Sequence, residues 1–287
     1  MVKSEVLPIT VAIPVLNEEA NLGRCLSRLS RFAEIVVIDS GSVDRTIAIA
    51  QSFGARVEQF FWDGKFPKKR NWFLMNNPPE QPWVLFLDAD EFLDDAFCDA
   101  VSVAVQNEGH NGFWLKYTNY FLGRELRHGL MQRKLALFRV GKGLYERIEE
   151  DGWSALDMEI HEHPIIEGSV GTIDAPIEHR DYKGLAKFIE RHKDYALWES
   201  IRYSRLQEGR ARWEHLTPRQ RFKYRHLSKW WYPAFYFLAQ YFGKLGCLDG
   251  AAGFQYAFYK AWYFNTIRLM IREQSVINEP VRKAERG

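Results

Sequence analysis

Two short apolar runs that each end in carboxylates constrain this chain most. Val36-Val37-Ile38 leads into Asp39-Ser40-Gly41-Ser42-Val43-Asp44, and Trp83-Val84-Leu85-Phe86-Leu87 leads into Asp88-Ala89-Asp90-Glu91. A continuous apolar run bounded by turn residues reads as a strand buried on both faces, the kind found in helix-covered parallel sheets. Open α/β sheets bind ligands outside the carboxyl ends of their strands. Two acidic strand ends in one such sheet predict a site for a polar, metal-chelated ligand.

The rest of the first hundred positions fits that sheet. Strands are expected at 9–14, 34–38, 55–60 and 83–87. Helices are expected at 18–29, on the spacing of Leu22, Leu26 and Leu29, at 44–53 with Asp44 as N-cap, and at 68–76, stopped by Pro78-Pro79. This βαβα order predicts an α/β fold, with a mostly parallel sheet and helices on both faces. Regularity fades after Gln106. Segments 112–120 and 135–140 read as strands, 141–152 as an exposed charged loop, 184–206 as a helix and 205–218 as a hinge.

Charge is unevenly placed. From Arg180 onward there are 21 Lys+Arg and 10 Asp+Glu, and the remainder of the chain holds 18 and 27. An acidic front suits cation binding, and a basic back suits phosphate or an anionic membrane. No nucleic-acid motif accompanies the basic half, so nucleic acid is not an expected partner. Cys25, Cys98 and Cys247 are scattered without metal-type spacing, which points to a reducing compartment. The first residues lack the apolar core of a signal peptide.

The tail is basic, then aromatic. Arg219, Arg221, Lys223, Arg225 and Lys229 precede Trp230-Trp231-Tyr232-Pro233, and positions 230–243 carry no charge. That stretch is shorter than the roughly 20 residues a spanning helix needs. Amphipathic, aromatic-rich helices lying in a membrane interface are expected, with aromatics at headgroup depth. A hairpin packed on the first domain, or a dimerisation element, also accommodates those aromatics.

Asp88-Ala89-Asp90 can turn two carboxylates toward one ligand. Hard divalent cations such as Mg²⁺ take oxygen ligands and keep substrate phosphates in their shell. Alone, Asp-x-Asp usually marks a solvated turn. Its company here is informative. Ile13-Pro14-Val15-Leu16-Asn17-Glu18-Glu19, then Val37-Ile38-Asp39-Ser40-Gly41-Ser42-Val43-Asp44-Arg45-Thr46, then Asp88-Ala89-Asp90-Glu91 resembles a family 2 glycosyltransferase of the GT-A fold. Phe121-Leu122-Gly123-Arg124, His128-Gly129, Leu137-Phe138-Arg139 and Ile160-His161-Glu162-His163 extend the likeness toward bacterial enzymes of lipopolysaccharide-core and exopolysaccharide assembly.

The resemblance implies a domain over 1–206, with a nucleotide-sugar half at 1–106 and an acceptor half at 107–206, followed by a helical extension at 207–287. It implies that Pro14, Asn17 and Glu18 form the first nucleotide loop. Asp39 would meet the uracil ring, Arg70 the diphosphate, Asp88 the ribose, and Asp90 a Mg²⁺ or Mn²⁺ ion. Asp39 as a turn cap, and Lys65 and Lys68 as a solvated helix face, are the plainer readings. Inversion at the anomeric carbon needs a base, and a carboxylate ionised at neutral pH serves if it reaches the acceptor hydroxyl. Glu162 is the expected base, with Asp157 and Glu159 as alternatives. Glu149-Glu150-Asp151 reads as an exposed acidic loop. His161, His163 and His179 lack the Cys or metalloprotease pattern of a zinc site. His161 or His163 would orient the base or touch the acceptor. His179 is a late metal ligand or a structural histidine.

The expected activity is inverting transfer from a nucleoside-diphosphate sugar, a UDP-sugar foremost, to a lipid-linked glycan. The expected place is cytoplasmic, peripheral on the inner face of the membrane, where a homodimer is also compatible. An inactive nucleotide-binding scaffold of the same fold is the alternative. A nucleotidyltransferase is a further one, though the first loop lacks the Gly-rich, basic character of that class.

Overall fold

The computed structural model describes residues 6–284 apart from 149, 151, 160, 161, 181–183, 210 and 212. The chain divides into two compact units, Met1–Tyr120 with Met131–Tyr182, and Phe121–Leu130 with Lys183–Gly287. The helix expected at 184–206 belongs with the tail because Ala196 and Leu206 pack into the tail's own core with Tyr224, Leu227 and Ile267.

The first unit begins with β1 (Leu7–Val15), α1 (Leu22–Leu26), β2 (Phe32–Asp39), α2 (Thr46–Ser52), β3 (Arg56–Gln59), α3 (Lys69–Asn76) and β4 (Trp83–Phe86). β5 (Glu91–Phe92), α4 (Asp95–Val105) and β6 (Gly112–Phe121) follow. β7 (Arg124–Leu126) counts with the second unit, and β8 (Arg133–Arg139), β9 (Gly143–Tyr145), β10 (Pro164–Ile166) and β11 (Val170–His179) complete the first. The main sheet runs β3-β2-β1-β4-β8-β6-β11-β5. Four pairings are parallel, β1 with β2 and β4, β2 with β3, and β6 with β11. β8 pairs antiparallel with β4 and β6, and β5 antiparallel with β11.

β1 is apolar on both faces because it lies at the centre, and every residue from Ile9 to Val15 is buried. The connections through α1 and α2 step outward from β1 to β2 and β3, whereas α3 returns to β4 on the other side of β1. This reversal of strand order opens a crevice at the carboxyl ends of β1, β2 and β4. The acidic strand ends lie there.

Two expectations change. The first helix covers only 22–26, because Asn17 holds left-handed backbone and the 17–19 loop is tied to the loop after β2. Segment 141–152 is not simply an exposed loop: it contains β9, and Glu150 is 2% exposed.

In the second unit, α5 (Gly184–Gln207), α6 (Pro218–His226), α7 (Tyr232–Leu238) and α8 (Gly250–Ala284) enclose an aromatic core. Pro233 opens α7 instead of breaking it, since the first turn of a helix needs no amide there. The segment expected as a hinge carries a 3₁₀ turn, Trp213–His215, with Leu216 buried. Among the described residues, no helix is long and apolar enough to cross a membrane.

Candidate active site

The loops after β1 and β2 are stitched together. Asn17 N–H donates to Ser42 Oγ at 2.8 Å and its Oδ1 accepts from Val43 N–H at 2.9 Å. Glu18 N–H donates to Thr46 Oγ1 at 2.8 Å, and Glu19 Oε2 accepts from Arg45 N–H at 3.2 Å. Pro14 sits in β1 opposite Ile38. Asp39 is fully buried, and its carboxylate accepts the N–H groups of Gly41 and Ser42 at 2.9 and 3.0 Å. The turn-cap reading of Asp39 is therefore realised. A carboxylate has about four lone-pair positions, so capping does not exhaust it.

The basic run at the start of α3 is buried, contrary to the solvated-face reading of Lys68, while Lys65 is exposed. Each cation meets acids from far along the chain. Lys68 Nζ lies between Glu150 and Glu162, 2.9 Å from Glu162 Oε1. Lys69 Nζ reaches Asp157 Oδ2 at 3.1 Å and the Val15 carbonyl at 3.3 Å. Asp157 also accepts from the Ser40 hydroxyl, beside Asp39. Arg70 Nη2 is 3.0 Å from Asp88 Oδ1, and its other arm donates to the Glu159 carbonyl. Glu159, 2% exposed, receives the N–H groups of Arg70 and Asn71 at 2.9 and 3.0 Å. It anchors the amino end of α3, where backbone donors lack helical partners. That occupation leaves Glu159 a poor base. His161, Glu149 and Asp151 lie outside the described residues.

At the end of β4 the acids are held apart by designated partners. Lys134, from β8, contacts Asp88 Oδ2 at 2.5 Å and also Glu91. Glu91 is fully buried, and its Oε2 accepts the Asp88 N–H at 3.0 Å. Burial works to raise Asp88, but Lys134 and Arg70 hold it well below the usual carboxylate range. Burial pushes the Glu91 carboxyl up, against the pull of Lys134. Glu91 is thus a buried brace for the loop.

Asp90 has a different partner. Antiparallel pairing of β11 with β5 sets His179 opposite Glu91 and brings His179 Nε2 to 3.4 Å from Asp90 Oδ2. Arg180 N–H donates to the Asp90 carbonyl at 3.0 Å, locking the register. Burial opposes a charge on His179, and the Asp90 carboxylate outweighs it, raising the imidazole.

A divalent ion fits this pair. Asp90 and His179 offer one oxygen and one nitrogen donor side by side, and the remaining positions suit diphosphate oxygens and water. Among the described residues no third His, Cys, Asp or Glu completes a closed cage. Tyr117, whose ring lies 5.0 Å from Lys134 Nζ, has a buried hydroxyl without a hydrogen-bond partner, as a site awaiting a polar ligand would leave it.

Pattern reading missed Lys134 entirely. Its signal was a cation at the start of the β8 run that ends Leu135-Ala136-Leu137-Phe138. The Glu150–Lys68–Glu162 cluster was also missed, having no local signature. Of the expected residues, Arg70 and Asp88 meet directly, as do Asp90 and His179. Glu162 lies with Lys68 and Glu150.

Comparison with known proteins shows the family. Residues 10–157 match the family described as "Glycosyl transferase family 2". The chain is 30% identical over 273 residues to the "Lipopolysaccharide core biosynthesis glycosyltransferase LpsC" of Rhizobium meliloti (strain 1021), covering 89% of this chain and 91% of that one. Solved structures with some likeness include S. aureus TarS 1-349, at 15% identity, 93% and 91% coverage and a TM-score of 0.44. Another is glucosyl-3-phosphoglycerate synthase from Mycobacterium tuberculosis in complex with Mn²⁺ and UDP-glucose, at 27% identity and a TM-score of 0.31. That match covers 37% of this chain and 42% of the synthase. The crevice at the strand-order reversal carries the acids of the family motif, and the family match spans that whole half of the chain: the protein is a family 2 glycosyltransferase.

Proposed function

We propose that the chain is an inverting, divalent-metal-dependent glycosyltransferase that moves a sugar from a UDP-sugar to a lipid-linked glycan of a bacterial envelope polysaccharide. The observation that carries this reading is the pairing of Asp90 with His179 beside the Arg70–Asp88–Lys134 contact chain. Asp39 accepts the imide N–H of uracil with the lone pairs its turn leaves over. Asn17 and Glu18 set the loop that covers the base, and Asp88, fixed between Arg70 and Lys134, receives the ribose hydroxyls. Asp90 and His179 would hold Mg²⁺ or Mn²⁺, which when bound neutralises charge on the leaving diphosphate.

Glu162 is the proposed base. It shares the Lys68 ammonium with Glu150, so proton uptake by Glu162 leaves Lys68 paired. The acceptor proton passes to a Glu162 oxygen as the hydroxyl attacks the anomeric carbon and the bond to diphosphate breaks. The similarity to a lipopolysaccharide core enzyme supports a lipid-linked acceptor, and the basic aromatic helices support work at an anionic membrane surface on the cytoplasmic side. A second copy of the chain is a further candidate partner for those helices.

The test is transfer from a UDP-sugar panel in the presence of Mn²⁺ to a lipid-linked acceptor, with product configuration read by NMR. Inversion is expected. Glu162→Gln should lower kcat by roughly 10²–10⁴ while UDP affinity stays unchanged. Unchanged kcat in that variant would move the base to Asp157.

A further inference from the structure

The second unit carries an apolar surface with an unusual charge pattern. Between Trp230 and Tyr259 the charged residues are Lys244 and Asp249 alone. Asp249 is turned inward. Its carboxylate accepts Arg127 N–H at 3.2 Å and His128 N–H at 2.9 Å, and meets His128 Nδ1 at 2.9 Å. The same junction joins Gly129 N–H to the Lys244 carbonyl at 2.7 Å, so the exposed side chains of Arg127 and Lys244 project from neighbouring turns. Glu125, 3.4 Å from Arg127, offsets part of that charge, and Arg124 adds to it.

Around these cations the surface is apolar. Phe242, Leu245 and Leu248 are each more than half exposed on a tight turn in which Leu245 N–H donates to Phe242 O and Leu248 N–H to Leu245 O. The Tyr241 ring links Phe242 at 4.9 Å to Phe254 at 5.7 Å, which makes the patch continuous. Contiguous exposed apolar surface of this kind marks an interaction site.

The backbone adds an independent observation. Leu245 holds φ 60° and ψ 21°, in the left-handed region. Leu122, 54% exposed, holds φ 50° before Gly123 at φ 76°, the signs of a type I′ turn. Asn or Gly occupies such positions at lower conformational cost. Two leucines that leave more than half of their surface in solvent stay where the backbone disfavours them.

We propose that the 242–248 turn, which carries Lys244 and lies beside Arg127, is the element that enters an anionic bilayer, with Leu122 making a second contact of the same kind. This deepens, and rests on, the membrane part of the function proposed above. A bilayer satisfies both features at once: acyl chains take Leu245 and Leu248, and anionic headgroups take the cations. A second copy seated symmetrically on this face would bring the same cations against one another.

Flotation of the full chain with phosphatidylcholine vesicles, with and without phosphatidylglycerol, tests this. The wild-type chain should bind the anionic vesicles and weaken with salt. Leu245→Ser with Leu248→Ser should weaken binding at least roughly tenfold, and Arg127→Gln or Lys244→Gln roughly fivefold each. Leu245→Asn is the sharper variant, because it relieves the left-handed backbone. It should melt at or above the wild-type temperature and still lose vesicle affinity. Val103→Ser, at a more exposed apolar site on α4, should change nothing. Wild-type affinity in Leu245→Asn and in the double serine variant would overturn the assignment. So would a dimer, seen by sedimentation, that the serine changes dissociate while vesicle binding persists. Failure of the wild-type chain to bind either vesicle would overturn the membrane reading itself, leaving sugar transfer, assayed separately, unaffected.

Discussion

Asp90→Ala is expected to lower transfer by roughly three orders of magnitude, the equivalent of about 4 kcal/mol of transition-state stabilisation. The loss should be chemical rather than structural. The Asp90 backbone is held by Arg180 N–H, and the loop by Glu91 through the Asp88 N–H, neither of which involves the deleted carboxylate. Circular dichroism should therefore match the wild type, and the melting temperature should fall only modestly, because His179 loses its Asp90 partner and can shed its proton. His179→Ala removes the second donor of the pair and should act less severely, with activity partly restored as metal is raised. Steady-state assays across a Mn²⁺ series in the two variants check both points, and full turnover by Asp90→Ala would remove the metal role from this residue.

Lys134→Met should act on both folding and donor binding. Its ammonium touches Asp88 and Glu91, and Glu91 is fully buried. Breaking a buried pair by deleting one partner leaves an uncompensated charge, which costs about 3 kcal/mol. Burial already pushes Glu91 toward its neutral form, so proton uptake limits the damage. Asp88 would keep Arg70 but lose the partner on its other oxygen, and the UDP-sugar KM should rise about tenfold, worth about 1.4 kcal/mol. Combining Lys134→Met with Glu91→Gln should recover most of the stability but not the KM. Urea unfolding with steady-state kinetics separates the two effects. A single variant with wild-type stability and KM would show that Lys134 is dispensable.

The parallel half of the sheet was readable because its strands are buried on both faces and stand out as continuous apolar runs, as in Val84-Leu85-Phe86. Of the later strands, β6 and β8 match the segments expected at 112–120 and 135–140, whereas β11 offers no such run. β11 spans ten residues, yet only Ile173 and Ile177 are buried along it, and Gly171 and Pro176 interrupt any pattern. His179 therefore came to Asp90 through strand pairing that no local periodicity announces. Lys68 was misjudged for a related reason. Lys68 looks like a surface lysine until Glu162, 94 positions later, folds against it. Buried ion pairs between distant segments leave no trace in either segment alone. Asp39 was legible as an acidic strand end, but its position over Gly41 and Ser42 depends on the backbone of the turn.

The central claim is that Asp90 and His179 hold a divalent ion that completes the donor site. Calorimetric titration of UDP into the full chain, with Mn²⁺ and then with EDTA, tests it most directly, using Asp90→Ala alongside. The expected result is UDP binding with Mn²⁺ that weakens at least roughly tenfold in EDTA, and an Asp90→Ala variant whose affinity is the same in both. Equal UDP affinity with and without metal in the wild-type chain would contradict the account.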